Sequence, residues 1–137
     1  MTPQSKKSYF IINALFAGIF GFIFVYSGLF TSAEGGHSIP SACDLFNLSP
    51  CPSKGLSRSF SAIMQGDIHT ARSLNLMGPR LFLFFVAQLF MRFVVLTILF
   101  RAKKNTDALL WTDIGISIML FLGCFYPFFE FSLSLYK

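Results

Sequence analysis

Between Lys7 and Glu34 the chain carries no charged side chain, and this stretch restricts the available folds more than any other feature. About 20 helical residues, at 1.5 Å each, cross the roughly 30 Å hydrocarbon core of a bilayer. Phe10 to Phe30 meets that length, and so do Leu81 to Phe100 and Ala108 to about Phe129, each with one charged residue inside it. In hydrocarbon an unpaired backbone amide is costly, so a crossing segment closes its hydrogen bonds within itself as a helix, whatever its Phe, Ile and Val content. Composition agrees, since 54% hydrophobic residues, 19 Phe and 12% charged residues lie outside the range of soluble domains. The expected fold class is an all-α membrane protein: three transmembrane helices in one membrane domain, residues 1–137, with spans at about 10–30, 81–100 and 108–129.

The distribution of the +5 net charge sets the expected orientation. Lys6 and Lys7 precede the first span, and Arg101, Lys103 and Lys104 fill the short link between the second and third. The positive-inside rule puts both regions in the cytoplasm and therefore sends Lys137 outside. In residues 31–79, Lys54, Arg58 and Arg72 are balanced by Glu34, Asp44 and Asp67, with Arg80 at the membrane edge, so this segment is free to be exported. The cationic residues are explained by topology, and nucleic acid is not an expected partner. The first apolar core exceeds the roughly 7–15 residues of a signal-peptide h-region, so a retained anchor is expected rather than a cleaved leader.

Within the exported segment, Thr31 to Pro40 reads as an irregular connector in which His37 is a solvated loop residue. Leu56, Phe60, Ile63 and Met64 then recur at helical spacing, with Ser57, Arg58, Ser61 and Gln65 on the other face, which predicts a short amphipathic helix on the membrane surface. Gly66-Asp67 ends that pattern. Asp67 is placed to cap a second short helix from Ile68 to Leu74, and Gly78-Pro79 leads into the second span. The expectation is an interfacial helical hairpin between spans one and two. Cys43 and Cys51, on the oxidising side, are a candidate disulfide. His37, Asp44 and His69 match no zinc spacing, so no metal is expected. Cys124 reads as a small packing residue of the third span.

Arg92 and Asp113 are the expensive residues, because a charged group deep in a bilayer needs a partner or a wet cavity. Counting along antiparallel neighbours puts them about 12 and 8 Å from the same, cytoplasmic, end, so they are expected to pair. The same register predicts a second pair, Arg80 with Glu130, near the outer boundary. Helix packing is the expected role of both pairs, with a proton or ion path as the alternative. Gly18, Gly21, Gly115 and Ser117 offer places for close helix approach. Tyr26, Trp111, Tyr126 and Tyr136 lie toward span ends, as interface anchors do.

From Cys43 onward the chain reads Pro50-Cys51-Pro52-Ser53-Lys54-Gly55-Leu56-Ser57-Arg58, then Gly66-Asp67, then Asn75. This run resembles a family of small bacterial membrane proteins of uncharacterised function whose hallmark is C, then P-C-P-x-C-G-[LM]-[TS]-R, then G-D, then N-P. Lys54 replaces the second cysteine of the family's C-x-x-C, and Leu76 replaces the proline after Asn75. The resemblance implies a bacterial inner membrane protein and carries over Cys43, Cys51, Gly55, Ser57, Arg58, Asp67 and Asn75 by position. With the second cysteine missing, a C-x-x-C redox or metal function is not expected.

The expected function is that of a non-enzymatic accessory subunit or binding module using the polar hairpin, with Ser57, Arg58, Asp67, Arg72 and Asn75 as candidate binding residues. No catalytic residue and no cofactor is expected. The partners would be the lipid bilayer and either another membrane protein or further copies of the chain. One alternative is an enzyme or carrier acting on a lipid headgroup or exported small molecule, with Arg58 and Arg72 holding an anion and Asp67 or His69 handling a proton. Another is proton or ion transport by an oligomer, resting on Arg92 and Asp113.

Overall fold

The computed structural model describes residues 3–30, 53–101 and 107–135. The candidate disulfide cysteines Cys43 and Cys51, and the connector containing His37, lie outside the described residues. Five helices and no strand occur among those described: α1 (Pro3–Leu29), α2 (Leu56–Met64), α3 (Ile68–Leu74), α4 (Gly78–Arg101) and α5 (Asp107–Leu135). Three of them, α1, α4 and α5, are long and apolar enough to cross a membrane. The chain is thus an all-α membrane protein, as its apolar stretches require.

The long helices exceed the expected spans because the apolar count measures only what hydrocarbon demands. Pro3 opens α1, where its fixed φ and missing N–H carry no penalty, and Lys6 and Lys7 become helical residues ahead of the apolar run. Pro79 likewise occupies the first turn of α4. In α5 the helix runs past Phe129 to Leu135.

α4 is the central helix: 28% of its span is buried, against 11% for α1 and 6% for α5. Its inward stripe is Gly78, Leu81, Phe84, Gln88, Arg92, Val95 and Leu99, an alternation of three- and four-residue steps that keeps one face toward the bundle. Both α1 and α5 pack on α4, whereas α1 meets α5 through side chains, Tyr9 reaching Asp113. The outer faces are apolar: Phe22, Leu29, Phe90, Phe100, Trp111 and Met119 are each at least two-thirds exposed. In water such a surface would drive aggregation, whereas against acyl chains it carries no penalty.

Along α4 the bundle is layered. At the Arg101 end Tyr9, Val95 and Leu99 pack with Leu109 and Leu110. Next comes a buried polar layer around Arg92. Beyond it lies a phenylalanine layer, in which Phe20 meets Phe85 at 5.6 Å, Phe24 meets Phe82 at 5.1 Å, and Phe84 meets Phe125 at 5.4 Å between ring centroids. Such edge-to-face and tilted pairs add about 0.5–1.5 kcal/mol each beyond area burial. The α2–α3 pair sits at the opposite end from Arg101, against Gly28 of α1 and Gly78 of α4.

Candidate functional site

Two regions bring polar side chains together, the layer around Arg92 and the α2–α3 pair. In the first, each long helix contributes two polar residues one turn apart: Tyr9 and Asn13 from α1, Gln88 and Arg92 from α4, Asp113 and Ser117 from α5. All but the half-buried Ser117 are buried. Arg92 holds Asp113 in a fork, with Nη2 donating to Oδ1 at 2.5 Å and Nη1 to Oδ2 at 2.9 Å. Bidentate pairing of this kind is the strongest way a guanidinium meets a carboxylate.

The remaining valences are nearly filled. The Tyr9 hydroxyl donates to Asp113 Oδ2 at 2.5 Å, which is how α1 reaches α5. Arg92 Nη1 also donates to Asn13 Oδ1 at 2.5 Å, and Asn13 is fixed in turn by its Nδ2 donating to the Tyr9 carbonyl at 2.9 Å. Arg92 Nη2 is shared with Ser117 Oγ at 2.9 Å and Gln88 Oε1 at 3.4 Å. Arg92 Nε is the guanidinium atom without a partner among the described residues. A buried charge is tolerated only when counter-charge and hydrogen bonds replace its water, and here both are supplied by three different helices. The layer thus joins all three long helices through one hydrogen-bonded network, a lock between helices.

The structure does not join Arg80 to Glu130. Arg80 is exposed in the first turn of α4, and Glu130 is exposed and accepts from the Tyr126 hydroxyl at 3.4 Å within its own helix. Helical phase explains the difference. At roughly 100° per residue, Arg80 is about 120° around α4 from Arg92, and Glu130 about 100° around α5 from Asp113. If one pair faces across the α4–α5 contact, the other is turned away from it. Equal depth is therefore not enough for two residues to meet.

Of this polar layer, the cost of burying charge singles out Arg92 and Asp113, and Ser117 stands out only as a small residue. Tyr9, Asn13 and Gln88 escape that argument. A signal for them exists all the same: Tyr9/Asn13, Gln88/Arg92 and Asp113/Ser117 are all polar pairs at four-residue spacing in or beside apolar stretches.

The second region is built by glycines and short polar side chains. Gly55 precedes α2 with φ 75, and a Cβ there would lie 2.5 Å from the Leu74 carbonyl oxygen. This left-handed conformation and close approach both call for glycine. Asn75 ties the two ends of the hairpin together: its Nδ2 donates to the Lys54 carbonyl at 2.9 Å and its Oδ1 accepts from Met77 N at 2.9 Å. Ser59 Oγ donates to the Ala71 carbonyl at 2.8 Å, joining α2 to α3. Phe60 seats the pair on the bundle, edge-on to Phe82 at 5.4 Å and Phe85 at 5.8 Å.

The buried face of α2 is Ser59, Phe60, Ser61 and Ala62. This corrects the helical spacing argument in one place, since that argument puts the buried Ser61 on the polar face. Because α2 touches α1, α3 and α4 at once, Ser59, Ser61 and Ala62 are buried in its close approaches while Phe60 fills the space toward α4.

Asp67 caps α3 as its position implies, accepting from Thr70 N at 2.9 Å. Hydrogen bonding from the Thr70 side chain first, and from its backbone N–H second, holds the Asp67 carboxyl below the usual carboxylate range, with the nearby His69 adding a smaller contribution. Since the folded pKa is the lower one, the cap's contribution is complete above the ordinary Asp pKa and is lost as pH falls through the depressed value. Hydrogen exchange at Thr70 should therefore lose protection in acid, and Asp67→Asn, which still caps, should remove that pH dependence. Unchanged acid exchange in the wild type would contradict the cap.

Of the five candidate binding residues, Asp67 and Asn75 are thus engaged in building the hairpin. Ser57 and Arg72 are exposed and Arg58 is half-buried. His69 and Arg72 lie three residues apart on the exposed side of α3, beside the exposed Ile68 and Leu76.

Residues 45–89 match a family described as Protein of unknown function (DUF2752). The match spans the hairpin and the first half of α4, including Gly55, Ser59, Asp67, Asn75 and Gly78, and stops short of Arg92. No curated protein and no solved structure matches the chain.

Proposed function

We propose that this protein is a non-enzymatic multi-pass membrane protein that serves as an accessory subunit or binding module, presenting the α2–α3 hairpin to a partner. The observation that carries this reading is the division of labour within the hairpin. Asp67, Asn75 and Ser59 are spent on internal hydrogen bonds. Ser57 and Arg72 are exposed, on a platform braced by close backbone contacts. Side chains held on rigid elements bind with less ordering entropy than those on loops. Exposed Ile68 and Leu76 among arginines fit a surface at the headgroup level, where apolar side chains dip into acyl chains and guanidinium groups meet phosphates or an acidic partner. In this reading the Lys6 and Arg101 end faces the cytoplasm and the hairpin the outside of a bacterial inner membrane, following the positive-inside rule.

The test is purification of the full chain from its native membrane in nanodiscs, with mass spectrometry of what stays bound. A membrane protein in fixed stoichiometry is expected with the wild type. Its recovery should fall about tenfold or more in Arg58→Ala/Arg72→Ala, as befits loss of two charged contacts at about 0.5–1 kcal/mol or more each. A monomer carrying one enriched small molecule, or equal recovery from the double variant, would refute the reading.

A further inference from the structure

At the end of the bundle opposite the hairpin, an open groove of about 430 Å³ runs between α1 and α4, lined by Phe10, Leu96, Thr97, Phe100 and Arg101. The lining is apolar apart from its two polar members, and these differ in what they offer. The Thr97 hydroxyl donates to the Phe93 carbonyl at 2.8 Å within its own helix, so it makes little demand on an occupant. Arg101 ends α4 and is exposed. Across the groove, Lys6 and Lys7 precede Phe10 by four and three residues and so lie over the same side of α1. Arg101 is the charged residue that lines the apolar slot, at its end. On α4 this slot opens away from Val95 and Leu99, which are buried in the core with Tyr9.

We infer that this groove binds an anionic phospholipid, with one acyl chain along Phe10, Leu96, Thr97 and Phe100 and the phosphate at Arg101. The size lies within the range of small-molecule sites, and an apolar trough with a few polar groups at one end is their usual form. Basic pockets between membrane helices are a recognised form of anionic headgroup site. Charge complementarity is what selects an anionic lipid over a zwitterionic one, because both carry the same chains and would fill the trough equally. The site is independent of the hairpin and of the partner proposed for it.

The full chain, purified in mild detergent, would be given phosphatidylglycerol and phosphatidylcholine of identical palmitoyl-oleoyl composition, and retained lipid counted by native mass spectrometry. The wild type should keep one phosphatidylglycerol in preference by about fivefold, the effect of one arginine at a headgroup. Arg101→Gln, an exposed change that leaves the fold intact, should erase the preference. Thr97→Phe, with helicity checked by circular dichroism, should lower retention of both lipids by filling the trough. Equal retention of the two lipids by the wild type, or a preference that survives Arg101→Gln, would overturn the assignment. So would dihexanoyl phosphatidylglycerol binding as well as the long-chain lipid, or inorganic phosphate displacing it at equal concentration, because either result would make the site an anion site without a chain groove.

Discussion

Asp113→Leu should destabilise the protein by about 3–5 kcal/mol, because it leaves the Arg92 guanidinium buried among Asn13, Gln88 and Ser117 without its counter-charge. Arg92→Met should do comparable damage by stranding the carboxylate. The combined variant Arg92→Met/Asp113→Leu should lie close to the wild type, since replacing both members of a buried pair by apolar residues of similar volume is often neutral or stabilising. Hydrocarbon strengthens that expectation, as apolar side chains need no desolvation there. Equilibrium unfolding in mixed micelles titrated with SDS measures all three. A double variant as unstable as the two single effects summed would show that the pair is not coupled, and the lock would be discarded. The same double variant bears on transport, since an intact but inactive protein would revive a proton path through Asp113.

Gly78→Ala should detach the hairpin from the bundle. A Cβ at Gly78 would lie 2.0 Å from Ser59 Oγ and 2.7 Å from Ser59 Cβ. Rotating the hydroxyl away relieves only the first contact, and it breaks the bond to Ala71. The Ser59 Cβ is fixed to the α2 backbone, so α2 and α4 must separate, at a cost of about 1–3 kcal/mol for overpacking. Gly55→Ala should act similarly, adding about 1–2 kcal/mol for a left-handed residue with a side chain to its collision with the Leu74 carbonyl. Hydrogen exchange over Leu56–Leu74 should accelerate by at least about fivefold in either variant, while the long helices keep their protection. Ser59→Gly introduced into Gly78→Ala should restore part of that protection by removing the second Cβ. If exchange in Gly78→Ala matched the wild type, the close approach would be wrong.

Several residues of the segment that matches the family model shape the backbone. Gly55, Asp67 and Asn75 lie within residues 45–89, and they supply respectively a left-handed turn, a helix cap and a clasp between the hairpin's two ends. The matched segment, residues 45–89, therefore contains the residues that make the hairpin and seat it on α4. Ser57 and Arg58 enter the binding proposal because they stand outside the buried face of α2.

The chain's own order of residues determines the three long helices and the short helix Ile68–Leu74, because the causes are local. Hydrocarbon makes each apolar stretch satisfy its own backbone, and Asp67 caps a turn three residues away. Depth along the chain foreshadows the Arg92–Asp113 pair, but tertiary structure decides which other polar groups meet. Tyr9 reaches Asp113 and Asn13 reaches Arg92 across 104 and 79 residues of chain, and Arg80 and Glu130, equally plausible by depth, end up unjoined because their helical phase turns them elsewhere. Tertiary structure likewise buries Ser61 where helical spacing left it outside, since α2 is wedged among three other helices. Depth in the membrane depends on distance along the chain, whereas partnership depends on which faces of separate helices are turned toward each other.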